Sequence, residues 1–343
     1  KYKDLKDFTG KKIAAQKGTD QEKIAHNEIK DSQVSSLNRL PESILALKSG
    51  KVVGTIVEKP VGEAYLKQNP ELEFADVKFN EEKKPTCIAV PKNSPILLKH
   101  LNQTIDEVNN KNLIDKYMNQ AAQDMQDDGN FFTKYGSFFI KGIKNTILIS
   151  LVGVILGSIL GAFIALLKIN KFKPLSWLAS IYIEFLRGTP MLVQVFIVFF
   201  GTTAALGLDV SALICGTIAL IINSSAYIAE IIRAGINAVD KGQMEARRSL
   251  GLNYIQTMKS VIMPQAIKNI LPALGNEFVT LIKESSIVST IGVGEIMFNA
   301  QVVQGISFDP FTPLIVAAVL YFILTFALSR IMSLVEGRMK ASD

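Results

Sequence analysis

The sequence predicts a multi-domain chain. A partial α/β lobe with a parallel sheet covers residues 1–129, and an all-α membrane domain of five helices covers 130–343. Three observations carry this reading. In the first third, short β-type runs alternate with helical ones, the pattern of strands joined by crossover helices. Beyond it lie four uncharged stretches of at least 20 residues, each long enough to cross a bilayer. Lys and Arg are concentrated in alternate connections between those stretches, which puts them on one side of the membrane, as the positive-inside rule requires.

The α/β reading is built from Lys12–Gln16 as a strand, a helix from about Asp20, a strand at Val34–Leu37 and a helix through Ile44–Leu47. A strand follows at Val52–Val57, another at Thr86–Val90, then helical stretches at Ile96–Val108 and Leu113–Met118. Gln16 to Glu22 joins the first strand to the first helix, so N–H groups at the helix start face the end of the sheet, a geometry suited to a carboxylate. Glu58 closes the Val52–Val57 strand just before Lys59 and Pro60. A carboxylate there can pair with an ammonium group. One anion site beside one cation site fits a free amino acid.

Across the rest, 23 uncharged residues separate Lys144 from Lys168, 21 separate Arg187 from Asp209, 20 separate Asp209 from Glu230, and 20 separate Asp309 from Arg330. A fifth span is inferred over Gln265–Ile282, where Lys268, Glu277 and Lys283 interrupt the hydropathy. With the N-terminal segment outside, Lys168, Lys171 and Lys173 lie inside, as do Lys241, Arg247 and Arg248, then Arg330, Arg338 and Lys340. The outer loop from Glu295 to Asp309 holds no Lys or Arg, which completes a positive-inside pattern with the C-terminus in the cytoplasm. Gly188 and Pro190 place a break at the start of the second span, tolerable only where protein or water satisfies the freed backbone groups. Gly153, Gly157 and Gly161, at i, i+4 and i+8, mark close helix packing.

Composition agrees with a half-soluble, half-membrane chain: 343 residues, 48% hydrophobic, 20% charged, mean hydropathy +0.27. The net charge of 37 − 31 = +6 is that of a membrane protein with basic inner loops, and nucleic-acid binding is not indicated. Cys87 and Cys215 lie in different kinds of segment and His26 is far from His100, so neither a disulfide framework nor a metal site is expected. No signal peptide opens the chain, which begins at Lys1, so an N-terminal part is expected to be missing or removed.

The most informative stretch is Asp240 to Gly251. Asp240 with Gln243 reads as a helix N-cap with its reciprocal partner, and Gly251 stands where a left-handed residue ends a helix. About ten residues, roughly 15 Å, is too short to span, and Asp240, Lys241, Glu245, Arg247 and Arg248 are too charged for lipid. The helix belongs on the membrane surface. Its Glu245, Ala246 and Gly251, with Val261, Met263 and Pro264 at the later positions, resemble the "EAA" loop of ATP-binding-cassette (ABC) importer permeases; the third motif position departs, with Arg247 where the family usually has Ala. The segments from Glu184 to Gln194, Ala226 to Gly235 and Lys283 to Gly292 are similar to the polar-amino-acid branch of that family, and the resemblance covers about residues 136–338. Likewise Gly18, Thr19 and Glu58 resemble the amino-acid-holding positions in the second lobe of periplasmic-binding-protein-like, two-lobed ("Venus flytrap") solute receptors.

These resemblances imply the membrane subunit of an ATP-driven importer of polar amino acids, glutamine or glutamate, fused to part of its own extracellular receptor. They imply a permease homodimer with two copies of a separate ATPase docked at 240–251 through Glu245, Ala246 and Gly251. No Gly-x4-Gly-Lys-Ser/Thr motif occurs, so ATP is expected to bind the partner and the chain to need no cofactor, no metal and no catalytic residue of its own. The receptor's first lobe is not in this sequence, so the half present is expected to bind amino acid poorly by itself. Glu277, Lys283 and Glu284, costly in lipid, are candidates for the translocation pathway, with mutual charge neutralisation of Glu277 and Lys283 the alternative. Two other classes remain open: a ligand-gated membrane receptor, which needs a cytoplasmic output domain that the few residues after Arg330 do not supply, and an ATP-independent carrier, which needs internal repeats of spans.

Overall fold

The computed structural model describes residues 2–79, 87–117, 120, 130–240, 242–243 and 253–340. It divides into two compact units, one of residues Lys1–Lys134 with Val303–Thr312, the other of Tyr135–Val302 with Pro313–Asp343.

In the first unit, β1 (Lys12–Gln16) lies between β2 (Gln33–Leu37) and β3 (Gly54–Thr55), all parallel. Ile13, Ala14 and Ala15 are buried because a central parallel strand is covered on both faces. Crossovers run through α1 (Asp20–Glu28) and α2 (Leu40–Lys48), and α3 (Lys59–Gln68) follows β3. Two strand expectations need correction. The run Val52–Val57 contributes only two paired residues, since Val52 is buried while Ile56 reaches the ladder through one bond, its N–H to Ala14 O at 3.3 Å. No strand forms over the described residues 87–90, where the expected Thr86–Val90 strand ends; the apolar run there is largely exposed, with Ile88 59% accessible. Beyond it come α4 (Pro95–Asn110) and a helical stretch at 113–117.

The second unit is helical. α5 (Phe131–Ile169), α8 (Ala212–Asn237) and α11 (Thr312–Lys340) are each long and apolar enough to cross a membrane. Two further pairs of helices pass the same test of length and hydropathy only when each is taken together across a bend. α6 (Lys173–Gly188) and α7 (Met191–Leu206) meet at 107°, and α9 (Tyr254–Ile291) meets α10 (Ile296–Ser307) at 49°. The first bend falls at Thr189 and Pro190, where the proline has no N–H to continue the ladder. α9 carries a π-turn at Met258–Ile262, immediately before Pro264, and ends in a 3-10 stretch, Ser285–Ile291. The missing donor of Pro264 leaves the ladder to shift register: Met263 N–H bonds Met258 O, five residues back. Two expectations about this span change. It begins well before Gln265, and the stretch Glu295–Asp309, read as an outer loop, is mostly the helix α10.

α8 is the centre. In their most apolar windows 56% of it is buried, against 33% of α5 and 11% of α11. Its Cys215, Ala219 and Leu220 join Ile149, Val195, Leu281 and Val288 in one core, and its Ala226 and Ala229 join Ile164, Ala165, Ile183 and Leu186 in a second. The glycine spacing on α5 does what small residues do in membranes. A Cβ on Gly157 would lie 2.2 Å from Ser224 Oγ, and one on Gly161 2.8 Å from the Ser225 carbonyl oxygen, so only hydrogen lets α5 lie this close to α8.

Candidate functional site

In the α/β unit, Gly18, Thr19 and Glu58 stand past the carboxyl ends of the adjacent parallel strands β1 and β3, the edge where open sheets bind ligands. Gly18 takes a left-handed φ of 77°, which turns the chain from β1 into α1. Thr19 caps α1: its hydroxyl donates to Gln16 O at 2.6 Å and accepts the Glu22 N–H at 3.4 Å. The Gly18 N–H is occupied, donating to Glu22 Oε2 at 2.6 Å. The Ser36 hydroxyl and that N–H hold the Glu22 carboxyl below the usual carboxylate range. A carboxylate thus already sits at the predicted anion position, supplied by the chain itself. Glu58 precedes α3 with its side chain exposed and making no capping bond.

In the helical unit, Glu277 on α9 is 8% exposed and makes no hydrogen bond or ion pair among the described residues. Glu284, seven residues on, returns to the same helical face and is half-buried, while Lys283 is exposed on another side. No ion pair joins Glu277 to Lys283, so the carboxylate is not neutralised in that way.

The surface-helix residues Glu245, Ala246 and Gly251 lie outside the described residues. Their flanks are defined. α8 ends at Asn237, and after it Asp240 Oδ1 accepts the Gly242 N–H at 2.6 Å while Asp240 O accepts the Gln243 N–H at 3.0 Å. On the far side Asn253 and Gln256 form a reciprocal capping box, with bonds of 2.8 and 3.0 Å, that starts α9. The Asn-x-x-Gln spacing is legible in sequence and marks where the surface segment ends.

Three polar groupings were not singled out beforehand. Gln194 Nε2 donates to Leu186 O (2.7 Å), Thr189 O (3.1 Å) and Thr189 Oγ1 (2.9 Å), and its Oε1 accepts Asn223 Nδ2 (3.0 Å). Glu295, fully buried at the break between α9 and α10, accepts the Met297 and Phe298 N–H groups and the Tyr321 hydroxyl, while Asn145 and Thr146 of α5 hold Gly294 O and Ile296 N–H. Glu230 of α8 pairs with Lys168 at 2.5 Å and with Arg233 at 2.8 Å.

Among the described residues, three helices long and apolar enough to cross a membrane and two bent pairs that pass the same test together, packed with α8 at their centre, define a multi-pass membrane protein. Residues 153–341 match the family of binding-protein-dependent transport system inner membrane components. Over 206 residues the chain is 43% identical to the arginine transport system permease protein ArtQ of Bacillus subtilis, covering 60% of this chain and 94% of that protein. It is 42% identical over 205 residues to the putative glutamine transport system permease protein GlnP of Rickettsia bellii, with the same coverage. A crystal structure of an amino acid ABC transporter with histidines superposes with a TM-score of 0.59 at 47% identity, covering 61% of this chain and 99% of that one. The methionine transporter MetNI in an inward-facing conformation, 18% identical with a TM-score of 0.52, shares the fold alone. The chain belongs to the family of binding-protein-dependent transport system inner membrane components, the permease subunits of ABC importers. Membership brings an ABC ATPase as partner and a transported substrate.

Proposed function

We propose that this permease imports polar amino acids, glutamine or glutamate foremost, as a homodimer driven by two copies of its ATPase. The observation that carries this is the identity of 42–43% across 94% of relatives that are themselves named for glutamine and arginine transport. In this reading the N-terminal α/β segment lies outside as the second lobe of a fused solute receptor, with Gly18 and Thr19 toward the substrate carboxylate and Glu58 toward its ammonium group. For Gly18 to take part, Glu22 must release its N–H. The C-terminus is cytoplasmic, and the ATPase docks on the helix at 240–251 through Glu245, Ala246 and Gly251. ATP binds the partner, and the permease holds no cofactor.

Within the bilayer, the unpaired and nearly buried Glu277 is the pathway residue, with Glu284 further along the same face. A carboxylate without a cation partner attracts an ammonium group far more strongly in a low-dielectric surrounding than in water. Alternating access then exposes it to one side at a time as the docked helix moves. The test is reconstitution of the full chain with its ATPase in proteoliposomes and uptake of a panel of radiolabelled amino acids. ATP-dependent uptake of glutamine or glutamate, lost together with ATPase co-purification in a Glu245→Ala, Gly251→Leu double variant, is the expected result. Uptake without ATP, or an ATPase that stays bound to that variant, overturns the reading.

A further inference from the structure

Among the described residues, the ion pair between Lys168 and Glu230 is set apart by its burial: Lys48–Glu71 also joins distant segments, but its Glu71 side chain is 52% exposed. Lys23–Asp20 and Lys59–Glu63 link near neighbours along one helix with side chains 40–82% exposed, the kind that contributes little. Lys168 and Glu230 are 62 residues apart, on two different helices, with side chains 20% and 17% exposed. Arg233 closes on the other Glu230 oxygen through Nε at 2.9 Å and a second nitrogen at 2.8 Å, so the carboxylate is fixed from two sides. Charge-assisted bonds of this geometry are the strong ones.

The pair also completes a longer contact. Gly153 faces Leu220, Gly157 faces Ser224 and Gly161 faces Ser225 and Ile228, so α5 and α8 run in the same direction at close range from residue 153 onward. Lys168 and Glu230 close that seam at the end of α5 and about two turns before the end of α8. Seven residues past Glu230, α8 ends, and the chain runs on to Asp240, where the sequence places the surface helix. Ser176 Oγ holds the Lys168 carbonyl at 2.8 Å, which fixes the end of α5 from the other side.

We propose that Glu230 is a positioning residue of the transport cycle: by holding Lys168, it makes α5 and α8 move as one rigid body when the surface segment after Asp240 is displaced. The proposal rests on the transport reading above for what displaces that segment. Packing of glycines resists separation of the helices but resists sliding along their axes only weakly, because one small residue replaces another at the contact. A charged pair at the end of the seam has a single favourable register and supplies that resistance.

The test uses the full-length chain with its ATPase in proteoliposomes, with Cys87 and Cys215 replaced by Ser and spin labels at the exposed positions Leu166 and Ala234. Lys168→Gln breaks the link between helices yet leaves Glu230 paired with Arg233, so no uncompensated charge is buried and the bundle keeps its fold. The expected result is an unchanged label distance between the nucleotide-free and vanadate-trapped states of the parent protein. In Lys168→Gln the distance broadens or shifts on trapping and amino-acid uptake per ATP hydrolysed falls about fivefold or more, and Lys168→Arg restores both. A distance that changes on trapping in the parent, or a Lys168→Gln protein with parent-like uptake per ATP, overturns the proposal. A parent protein that takes up no amino acid on ATP addition instead overturns the transport reading, while the label distances in the two variants still report whether the pair holds the helices together.

Discussion

The Asn223 side chain of α8 donates to the Gln194 side-chain oxygen at 3.0 Å, and Gln194 in turn donates across the 107° bend to the carbonyls of Leu186 and Thr189. One amide thus satisfies the groups that the bend frees and ties the bend to the central helix. In lipid no water can take that place.

Replacing Gln194 by Leu leaves the Leu186 carbonyl and the Asn223 amide without their partner. Each buried polar group left unpaired costs about 1–3 kcal/mol. Unfolding of the purified protein in detergent, followed by denaturant titration, should show a loss of about 2 kcal/mol or more, and Gln194→Glu, which lacks the amide donor, should not restore it.

The α5 glycines separate by what faces them. Gly161→Ala drives a methyl against the Ser225 carbonyl and Ile228 and should destabilise by about 1–3 kcal/mol. Gly136 of the same helix faces open space, and Gly136→Ala should be neutral or stabilise by roughly 0.5–1 kcal/mol through helix propensity. Paired thermal-unfolding curves check both.

Asp309 caps the start of α11, accepting the Phe311 and Thr312 N–H groups at 2.9 and 3.1 Å. Burial works to raise its pKa, but the Thr312 hydroxyl and these N–H groups outweigh it and hold the carboxyl below its ordinary value of 3.8. A depressed folded-state value means that the stabilisation is complete above the ordinary value and is lost as the pH falls through the lower, folded-state one. Asp309→Ala should cost about 1 kcal/mol at pH 7, and the gap between variant and parent should close as acid unfolding is followed below pH 4.

Glu277→Gln removes the charge from α9 and keeps the shape. If the carboxylate meets the substrate's ammonium group, uptake should fall about tenfold or more, the scale of one charge-assisted bond, with ATPase binding intact. Parent-like uptake by this variant removes Glu277 from the pathway.

Much of the fold was legible in the residues. The strands Lys12–Gln16 and Val34–Leu37 and the helix from Asp20 follow from the alternation of short β-type and helical runs, a local property. The uncharged runs located the three helices long and apolar enough to cross a bilayer and one arm of a bent pair, because length and charge are local properties of the chain. Val52–Val57 fell short for the opposite reason: its pairing depends on how far β1 extends beside it, which no local pattern records.

The candidate sites divide the same way. Glu58 and Glu277 were candidates because each breaks a local pattern, a carboxylate at a strand end and a charge inside an apolar helix, and Thr19 because of the resemblance to solute receptors. Gln194, Lys168 and Glu230 were passed over since each is unremarkable in its own segment and acquires meaning only from a partner 29 or 62 residues away. By itself, then, the sequence determined which segments are strands, spans and caps, because those depend on hydrogen bonding and hydropathy within a few turns. Only the tertiary structure decided where the spans bend and which polar side chains meet inside the bundle, because a buried polar group is satisfied by whichever helix packs against it.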